Sequence, residues 1–143
     1  MPGYFRPSAA AALAPSRPST YVATDAHATM LVAESAADAG ARRGAAAAAP
    51  ALVGALLARI YDTPDDPSLV MRRRAHVEAL VVDERHRRSG IGTALMNAAT
   101  DWARARGAVE IVLTVWAGNA AAEAFYGRLG YRIISRALGK PIG

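Results

Sequence analysis

Residues 82–93 constrain the fold of this 143-residue chain more than any other stretch. An apolar run at 76–82 (HVEALVV) ends in the charged loop Asp83–Ser89 (DERHRRS), and a helical pattern then begins with Gly90 and Gly92. The first amides of a helix have no intrahelical acceptor, and the helix dipole places partial positive charge there. A strand, a basic loop and a glycine-led helix in this order therefore predict a site for phosphate or another anion.

Two well-known phosphate-binding loops do not fit this stretch. A dinucleotide-binding fingerprint requires a third glycine, where Leu95 stands, and an acidic residue at the end of the next strand, where Val115 and Trp116 stand. A Walker A loop requires Gly-Lys-Ser/Thr, which the chain lacks. A glycine-assisted turn with solvated arginines remains the alternative on this motif alone.

The rest of the pattern predicts a mixed α/β sheet. Strands are expected at Thr29–Glu34, Ala51–Tyr61, Ser68–Val82 (with a break around Arg72–Arg74), Glu110–Trp116 and Tyr131–Leu138, and helices at Gly90–Arg106 and Asn119–Leu129. The turn signal Thr63–Pro67 makes the second and third strands a hairpin, and 35–50 is expected to be a loop. A strand, helix, strand order follows from Ser68 onward, so the sheet has a βαβ core.

The N-terminal 28 residues contain four prolines among alanines and serines. Proline at this density breaks long helices, although a short helix is compatible with Ser8–Ala14. No compact apolar core follows Arg6, which argues against a secretory signal. We therefore expect an irregular or disordered leader at 1–28, followed by a single domain at 29–143.

Composition excludes several classes of protein. The chain has no cysteine, which rules out disulfide frameworks, thiolate zinc sites and cysteine nucleophiles. No apolar run approaches the roughly 18–20 residues of a membrane span, so we expect a soluble, cytoplasmic protein. The net charge is +5 and Lys140 is the sole lysine. Basic charge suggests partners that carry phosphate, either nucleic acid or a small molecule. The excess of alanine and arginine suggests a GC-rich, bacterial genome.

Two segments together carry a resemblance to a known family. The segments HVEALVVDERHRRSGIGTALM (76–96) and LTVWAGNAAAEAFYGRLGY (113–131) resemble the GNAT superfamily of acyl-CoA-dependent N-acetyltransferases. The first contains the pattern Arg/Gln-x-x-Gly-x-Gly, and the second contains an asparagine followed by Phe-Tyr-x-x-x-Gly-Tyr. The resemblance covers about residues 51–138. It implies a mostly antiparallel, twisted mixed sheet with a βαβ core that binds acetyl-CoA.

The resemblance implies acetyl-CoA as a co-substrate, with no metal and no covalent enzyme intermediate. Its pyrophosphate would lie on the backbone amides of 88–93 with Arg87 at the start of the loop, and its pantetheine arm would pair with the backbone of 80–82 as an added strand. The residues implied in binding are Leu80, Val81, Val82, Arg87, Arg88, Ser89, Gly90, Ile91, Gly92, Thr93, Asn119 and Tyr126.

The same resemblance assigns chemistry to Tyr126, which would protonate the departing thiolate. A tyrosine with a pKa near 10 is a suitable donor to a thiolate with a pKa near 8.5 to 9. The alternative is a core aromatic residue beside Phe125. Asn119 would contact the arm of the cofactor, and it can also cap its helix, because capping uses only the side-chain oxygen.

The acceptor amine must lose a proton before it attacks, and Glu78 is the candidate base. This carboxylate lies in an otherwise apolar strand, where desolvation is expected to raise its pKa. The alternative is a structural ion pair with one of Arg72–Arg74. His76, on the same face by strand alternation, is a second candidate base.

Two positions bear on the acceptor. Enzymes that acetylate ribosomal-protein N-termini tend to have a glutamate where this chain has Thr114, which argues against that substrate. Trp116 could line an acceptor pocket or belong to the core. The family normally begins with a strand and two helices, and the 28 residues before Thr29 leave too little room for all three. The chain is thus expected to be a shortened member with an open acceptor site, to take the missing wall from a second subunit, or to come from a gene with a damaged start. The resemblance also implies a homodimer, because oligomers that share sheet edges are common in that family.

Three functions are compared. The first is transfer of acetyl from acetyl-CoA directly to a primary amine, in a small molecule or a peptide, within a ternary complex. The second is a non-catalytic acyl-CoA-binding module, since the cofactor half of the pattern is more complete than the acceptor half. The third is a nucleic-acid-binding domain, suggested by Arg72–Arg74 and Arg85–Arg88. We expect the first, with neither nucleic acid nor a membrane as partner.

Overall fold

The computed structural model describes residues 19–21, 26–34, 51–62 and 72–143. Its strands are β1 (Ser19–Tyr21), β2 (Ala28–Glu34), β3 (Leu52–Asp62), β4 (Arg73–Val82) and β5 (Glu110–Leu113), and its helices are α1 (Ile91–Ala105) and α2 (Ala120–Arg128), with a short 3-10 helix at Glu84–His86. No helix within these ranges is long and apolar enough to cross a membrane.

The strands form one sheet in the order β1-β2-β3-β4-β5. The first four are antiparallel to their neighbours, and β5 runs parallel to β4. Parallel neighbours need a crossover connection, and α1 supplies it. The predicted fold class, a mostly antiparallel mixed sheet with a βαβ core, is confirmed.

The core lies between the sheet and α1. Alternate residues of β3 turn the same way, so Leu56, Ala58 and Ile60 are buried against the helix while the intervening side chains are not. From α1 the buried contribution repeats at helical spacing through Leu95 and Ala99. Burying side chains of this size stabilises the fold by about 1.5–3 kcal/mol for each leucine or isoleucine.

A glycine of β3 lets α1 approach the sheet closely. A Cβ atom built on Gly54 would lie 3.0 Å from Ile91 Cγ2 and 3.2 Å from Leu95 Cδ1, both in the first turns of α1. Any larger residue at position 54 would therefore push the start of α1 outward. This contact matters for the site, because the anion motif is at that end of the helix.

The ends of several elements differ from the sequence-based expectation. β4 is continuous from Arg73, so the break predicted around Arg72–Arg74 is wrong; cross-strand pairing with Asp62 and Tyr61 continues through it. β5 ends at Leu113 rather than Trp116, where its pairing with β4 stops. The turn predicted at 63–67 and the loop at 35–50 lie outside the described residues.

The strand predicted at Tyr131–Leu138 is wrong. Residues from Tyr131 onward belong to no strand, and Ile133 and Ile134 are 69% and 58% exposed. A strand requires a partner as well as an apolar sequence, and β5 is paired only with β4 in the described structure. Consecutive isoleucines also lack the alternation of a half-buried strand.

The predicted irregular leader contains a strand. β1 pairs with β2 from Ser19 opposite Val32 to Tyr21 opposite Met30. Threonine and tyrosine favour strands, but three residues are too few to give a recognisable pattern. The rest of the leader up to residue 25, including the helix suggested at Ser8–Ala14, lies outside the described residues.

Candidate active site

The strands β4 and β5 separate partway along their length. Their pairing ends at Val77 opposite Leu113, whereas β3 continues to pair with β4 as far as Gly54 opposite Val82. Within the described structure, residues 78–82 therefore have a strand on one side only. We call this unpaired side of β4 the open edge. It contains the backbone of Leu80, Val81 and Val82, where the sequence analysis placed the pantetheine arm.

A tight loop joins the open edge to α1. The Asp83 carboxylate accepts a hydrogen bond from the Arg85 amide (2.8 Å) and caps the short 3-10 helix. The chain then reverses through two residues with positive φ, Arg88 (63°) and Gly90 (83°). Positive φ is costly for a residue with a side chain, so the left-handed Arg88 is an unusual feature of the loop.

Backbone amides at the start of α1 lack helical acceptors. The first helical hydrogen bond runs from the Ala94 amide to the Gly90 carbonyl (2.9 Å), so the amides of Ile91, Gly92 and Thr93 precede it. The Ile91 side chain is buried in the core, which fixes this end of the helix on the sheet. We call residues Arg87–Thr93 the cradle. Its amides and the helix dipole suit an anion such as pyrophosphate.

The two glycines of the cradle serve different purposes. Gly90 has positive φ and no atom within 4 Å of the position that a Cβ would take, so it needs glycine for its backbone conformation and leaves the cradle uncovered. Gly92 is needed for packing: a Cβ there would lie 3.2 Å from Phe125 Cζ. Gly92 thus lets α2 sit against the first turn of α1.

Side chains around the cradle are mostly exposed. The Arg87 Nε donates a long hydrogen bond to the Val82 carbonyl (3.4 Å), and the Ser89 hydroxyl donates to the His86 carbonyl. Arg88 is exposed. The guanidinium groups of Arg87 and Arg88 thus add positive charge at the rim, and the first turn of α1 contains no acidic residue to oppose them.

Helix α2 packs on Gly92 through Phe125, and it places Tyr126 about two turns after its cap, Asn119. The Asn119 Oδ1 accepts from the Ala122 amide (3.1 Å), which confirms the predicted cap. The Tyr126 ring packs edge-on against Phe125 (5.0 Å between centroids) and Tyr131 (5.6 Å). Burial raises the pKa of the Tyr126 hydroxyl above its ordinary value of 10.0, so this group stays protonated at neutral pH.

Glu78 lies where β4 separates from β5, and it lies in a β-bulge. Leu57 pairs with Ala79 and Ala58 pairs with Val77, which leaves Glu78 as the extra residue. A bulge of this kind redirects side chains and increases the local twist. Beyond it, the residues of β4 that pack on the core change from Ala75 and Val77 to Leu80 and Val82.

The Glu78 carboxylate is held on both oxygens by residues of β3. The Tyr61 hydroxyl donates to Oε1 (2.8 Å), and the Arg59 Nε donates to Oε2 (3.1 Å). His76 lies beside them, with its ring 6.1 Å from that of Tyr61. We call Arg59, Tyr61, His76 and Glu78 the carboxylate cluster. By strand alternation it lies on the sheet face opposite α1.

This cluster corrects two expectations about Glu78. The hydrogen bond from Tyr61, with smaller contributions from Arg59 and His76, holds the pKa of Glu78 below its ordinary value despite partial burial. The expected upward shift is therefore wrong, because the side chain gained donors rather than losing solvent alone. The structural alternative named the wrong arginines: Arg73 pairs with Asp62 and Arg74 pairs with Glu110.

Sequence reasoning missed Arg59 and Tyr61. Both interrupt the apolar run of β3 at alternate positions, which was a signal that they share a face. Which residue of β4 they meet depends on the register across the bulge, and the sequence did not reveal it. Thr114 and Trp116 lie beyond β5, and Trp116 is 85% exposed, so it does not belong to the core.

Comparisons with known proteins agree with this geometry. The sequence profile of the Acetyltransferase (GNAT) family matches residues 11–131, and thus begins within the segment expected to be a leader. The uncharacterized N-acetyltransferase YobR of Bacillus subtilis is 41% identical over 56 residues, which are 39% of this chain and 23% of that protein. The N-alpha-acetyltransferase 30 of Schizosaccharomyces pombe is 41% identical over 58 residues, 41% of this chain and 39% of that protein.

Solved structures extend the comparison over most of the chain. A mutant of the BH1408 protein of Bacillus halodurans superimposes with a TM-score of 0.69 and 25% identity, covering 85% of this chain and 69% of that one. The curated relatives are matched over less than two fifths of their own length. The profile match, however, spans most of the sequence. The superposition on the BH1408 protein covers most of the chain as well. The chain belongs to the GNAT family of acetyltransferases.

Proposed function

We propose that the protein transfers the acetyl group of acetyl-CoA directly to a primary amine within a ternary complex. The observation that carries the proposal is the continuity of the open edge at 78–82 with the cradle at 87–93. The first offers unpaired backbone groups to an extended arm, and the second offers helix-end amides to a pyrophosphate. A phosphorylated ligand with a long amide-containing arm fits both features.

The residues present suit acetyl-CoA. The amides of 91–93 would hold its pyrophosphate, with the guanidinium groups of Arg87 and Arg88 and the Ser89 backbone at the rim, and the backbone of 80–82 would pair with its arm. Gly90 leaves the space above the first turn open. The side-chain NH₂ group of Asn119 is not used by the helix cap and could donate to the same arm. When bound, acetyl-CoA supplies the activated thioester.

Tyr126 is the proposed acid. The amine nitrogen forms a bond to the thioester carbonyl carbon, the carbon–sulfur bond breaks, and the Tyr126 hydroxyl gives its proton to the sulfur. The proton that the nitrogen loses on becoming an amide returns through water to the Tyr126 oxygen. The raised pKa of this tyrosine keeps the proton in place until a thiolate forms. An amide of the open edge would stabilise the negative charge that develops on the carbonyl oxygen.

Glu78 is proposed to receive the acceptor. An ionised carboxylate attracts the ammonium form of an amine and accepts its proton in a hydrogen bond. Because the pKa of Glu78 is lowered, the carboxylate does not retain that proton and passes it to water, which its 28% exposed side chain can contact. Glu78 is favoured over His76, whose ring packs against Tyr61.

The acceptor is proposed to be a small-molecule amine or the amine of a peptide, in a cytoplasmic, single-domain enzyme. The name of the fission yeast relative refers to N-alpha-acetylation, which favours testing peptide α-amines first. A homodimer is also proposed, because the outer side of β5 has no partner within the described residues and Ile133, Ile134 and Leu138 are exposed. Sedimentation velocity tests this.

A two-step experiment tests the proposed function. Titration calorimetry with acetyl-CoA at fixed moderate salt should show one site with micromolar affinity. A panel of amines is then screened for release of the CoA thiol, for which the cysteine-free chain gives no background. Acetylated product confirms the proposal. Tight binding without transfer to any amine would support a non-catalytic acyl-CoA-binding module, and absence of binding would exclude both.

A further inference from the structure

The carboxylate cluster of β3 and β4 lies where β4 separates from β5. Glu78 is the first residue of β4 beyond the last pair with β5, Val77 opposite Leu113. It is also the bulged residue, so its backbone and side chain depart from regular strand geometry. A carboxylate at this point is adjacent to the open edge, and small changes in its orientation would change what it can reach.

Both oxygens of this carboxylate are used by β3. Tyr61 Oη donates to Oε1 at 2.8 Å and Arg59 Nε donates to Oε2 at 3.1 Å. An ionised carboxylate offers about four lone-pair sites, so two sites remain for an incoming ammonium group. We call these two hydrogen bonds from Arg59 and Tyr61 the clamp. The clamp fixes the carboxylate and leaves it able to accept further hydrogen bonds.

Neither Arg59 nor Tyr61 packs in the hydrophobic core, so packing does not account for their presence. Arg59 and Tyr61 are on the face of β3 that does not pack on α1, and both are exposed. Exposed ion pairs generally contribute 0–1 kcal/mol to stability, so stability alone is a weak reason for this arrangement. Arg73 with Asp62, one register position from Tyr61, is a second exposed ion pair between the same strands, and there the arginine also donates to the Arg106 carbonyl (3.1 Å).

We infer that Arg59 and Tyr61 are positioning residues, which hold the Glu78 carboxylate charged and in a fixed orientation next to the open edge so that the acceptor amine is taken up as its cation. The inference rests on the proposed function. The titratable and charged groups that face Glu78 in the described residues are Arg59 and Tyr61 from β3 and His76 from β4. All three favour the ionised carboxylate, and the pKa of Tyr61 is itself raised, so its hydroxyl remains a donor.

The test compares Tyr61→Phe and Arg59→Gln with the wild type in the full-length protein. The control is Arg104→Gln, which removes an arginine from the exposed pair with Asp101 on α1 (2.9 Å). The measurements are kcat and KM for the amine as functions of pH, and the affinity for acetyl-CoA. For Tyr61→Phe we expect the acid limb of kcat/KM to move up in pH toward the ordinary glutamate value of 4.5.

In addition, kcat/KM for the amine should fall about tenfold through misorientation of the carboxylate, mostly as a higher KM, with acetyl-CoA affinity and the control unchanged. Arg59→Gln should move the limb in the same direction by less. A merely structural clamp predicts lower thermal stability with an unmoved pH limb, and that result would overturn the inference.

A second readout separates this inference from the proposed function. Carbon-13 NMR of glutamate side-chain carboxyl groups, assigned with Glu78→Gln, follows the ionisation of Glu78 without turnover. Titration of Glu78 at an ordinary glutamate value in the wild type would overturn the inference even in an active enzyme. If no amine is acetylated by a protein that binds acetyl-CoA, the proposed function fails, and with it the role in amine uptake. A depressed titration that Tyr61→Phe reverses would then still establish the clamp.

Discussion

The cradle and the carboxylate cluster are built from different parts of the chain. In the cradle the groups proposed to hold a ligand are mainly the main-chain amides of 91–93, and the exposed side chains of Arg87 and Arg88 add positive charge at the rim. In the carboxylate cluster the working groups are side chains from two strands, joined across a β-bulge by bonds of 2.8 and 3.1 Å. Main-chain groups are shared by all sequences, whereas side-chain groups change with each substitution.

This difference predicts how each region tolerates change. A backbone site should be sensitive to residues that alter φ or the seating of a helix, and should tolerate loss of a surface side chain. A side-chain site should respond to deletion of a single hydroxyl group. Under the proposed function, acceptor specificity would therefore diverge through the carboxylate cluster while the cradle is kept.

The largest effect is expected from Tyr126→Phe, the change of one atom in a side chain. Loss of the proton donor should lower kcat by about 100-fold, since general acid catalysis contributes roughly 10²- to 10⁴-fold. The dissociation constant for acetyl-CoA, measured by calorimetry, should stay within about twofold because the cradle is made of backbone. Tyr131→Phe removes a hydroxyl from the neighbouring ring and serves as the control. An unchanged kcat would remove Tyr126 from the mechanism.

The next largest effect is expected at Gly54, which lets α1 pack closely on the sheet. Gly54→Val would place methyl groups against Ile91 Cγ2, which a Cβ alone approaches to 3.0 Å, and so would move the start of the cradle. Overpacking of this kind costs about 1–3 kcal/mol of unfolding free energy. We expect weaker acetyl-CoA binding by about tenfold together with a lower melting temperature.

A matched control for that change is available on β3 itself. Ala55→Val alters the neighbouring residue of β3, whose side chain alternates to the other face. It should leave acetyl-CoA affinity unchanged. Equal effects of the two substitutions would show that the cradle does not depend on the contact between Gly54 and α1.

The sequence predicted the local secondary structure of the cradle well, for a physical reason. Its determinants are local: a strand end, a basic loop, and glycines at the start of a helix, all within 82–93. Tyr126 and Asn119 were found through a second local motif, and the cap by Asn119 is confirmed. Local conformational preference is what a single sequence shows most directly.

The carboxylate cluster could be predicted only in part. Glu78 and His76 were recognised as polar residues in an apolar strand, but the partners of Glu78 lie 17 and 19 residues earlier in the chain, at Tyr61 and Arg59. The register of β3 on β4 decides that pairing, and the bulge shifts the register by one residue. The direction of the pKa shift of Glu78 followed from those partners, so it could not be foreseen. Whether Tyr131–Leu138 forms a strand likewise depended on a neighbouring strand to pair with, and the sequence of the segment alone does not show that.

A smaller effect should distinguish the two left-handed residues of the cradle. Gly90→Ala introduces a Cβ at a φ of 83° and should weaken acetyl-CoA binding about fivefold, from a backbone cost of about 1 kcal/mol. Arg88→Gly removes a charge but relieves a residue already at 63°, so its effect on binding should stay within about twofold. A stronger loss in Arg88→Gly would mean that side-chain charge, rather than backbone conformation, dominates the cradle.

The smallest expected effect is on the pH dependence of stability, to which the carboxylate cluster and the loop before the cradle contribute through different groups. A backbone amide, that of Arg85, is the main cause of the lowered pKa of Asp83 beside the cradle, whereas a side-chain hydroxyl, that of Tyr61, is the main cause for Glu78. Folded pKa values below the unfolded ones stabilise the fold above about pH 4.5, and this stabilisation is lost as the pH falls through the folded values. Urea midpoints should therefore be level from pH 7 to 5 and then decline.

Two variants measure how much of that decline comes from Asp83 and how much from Glu78. Asp83→Asn keeps an acceptor oxygen for the Arg85 amide but cannot titrate, so its acid decline should be shallower than that of the wild type. Tyr61→Phe should also flatten the decline, because Glu78 then titrates nearer its unfolded value, while leaving the contribution of Asp83 intact. If the two substitutions combine additively, the loop beside the cradle and the carboxylate cluster are energetically independent, as their separate construction requires. A non-additive double variant would mean instead that β4 transmits changes at the carboxylate cluster to the loop that leads into the cradle.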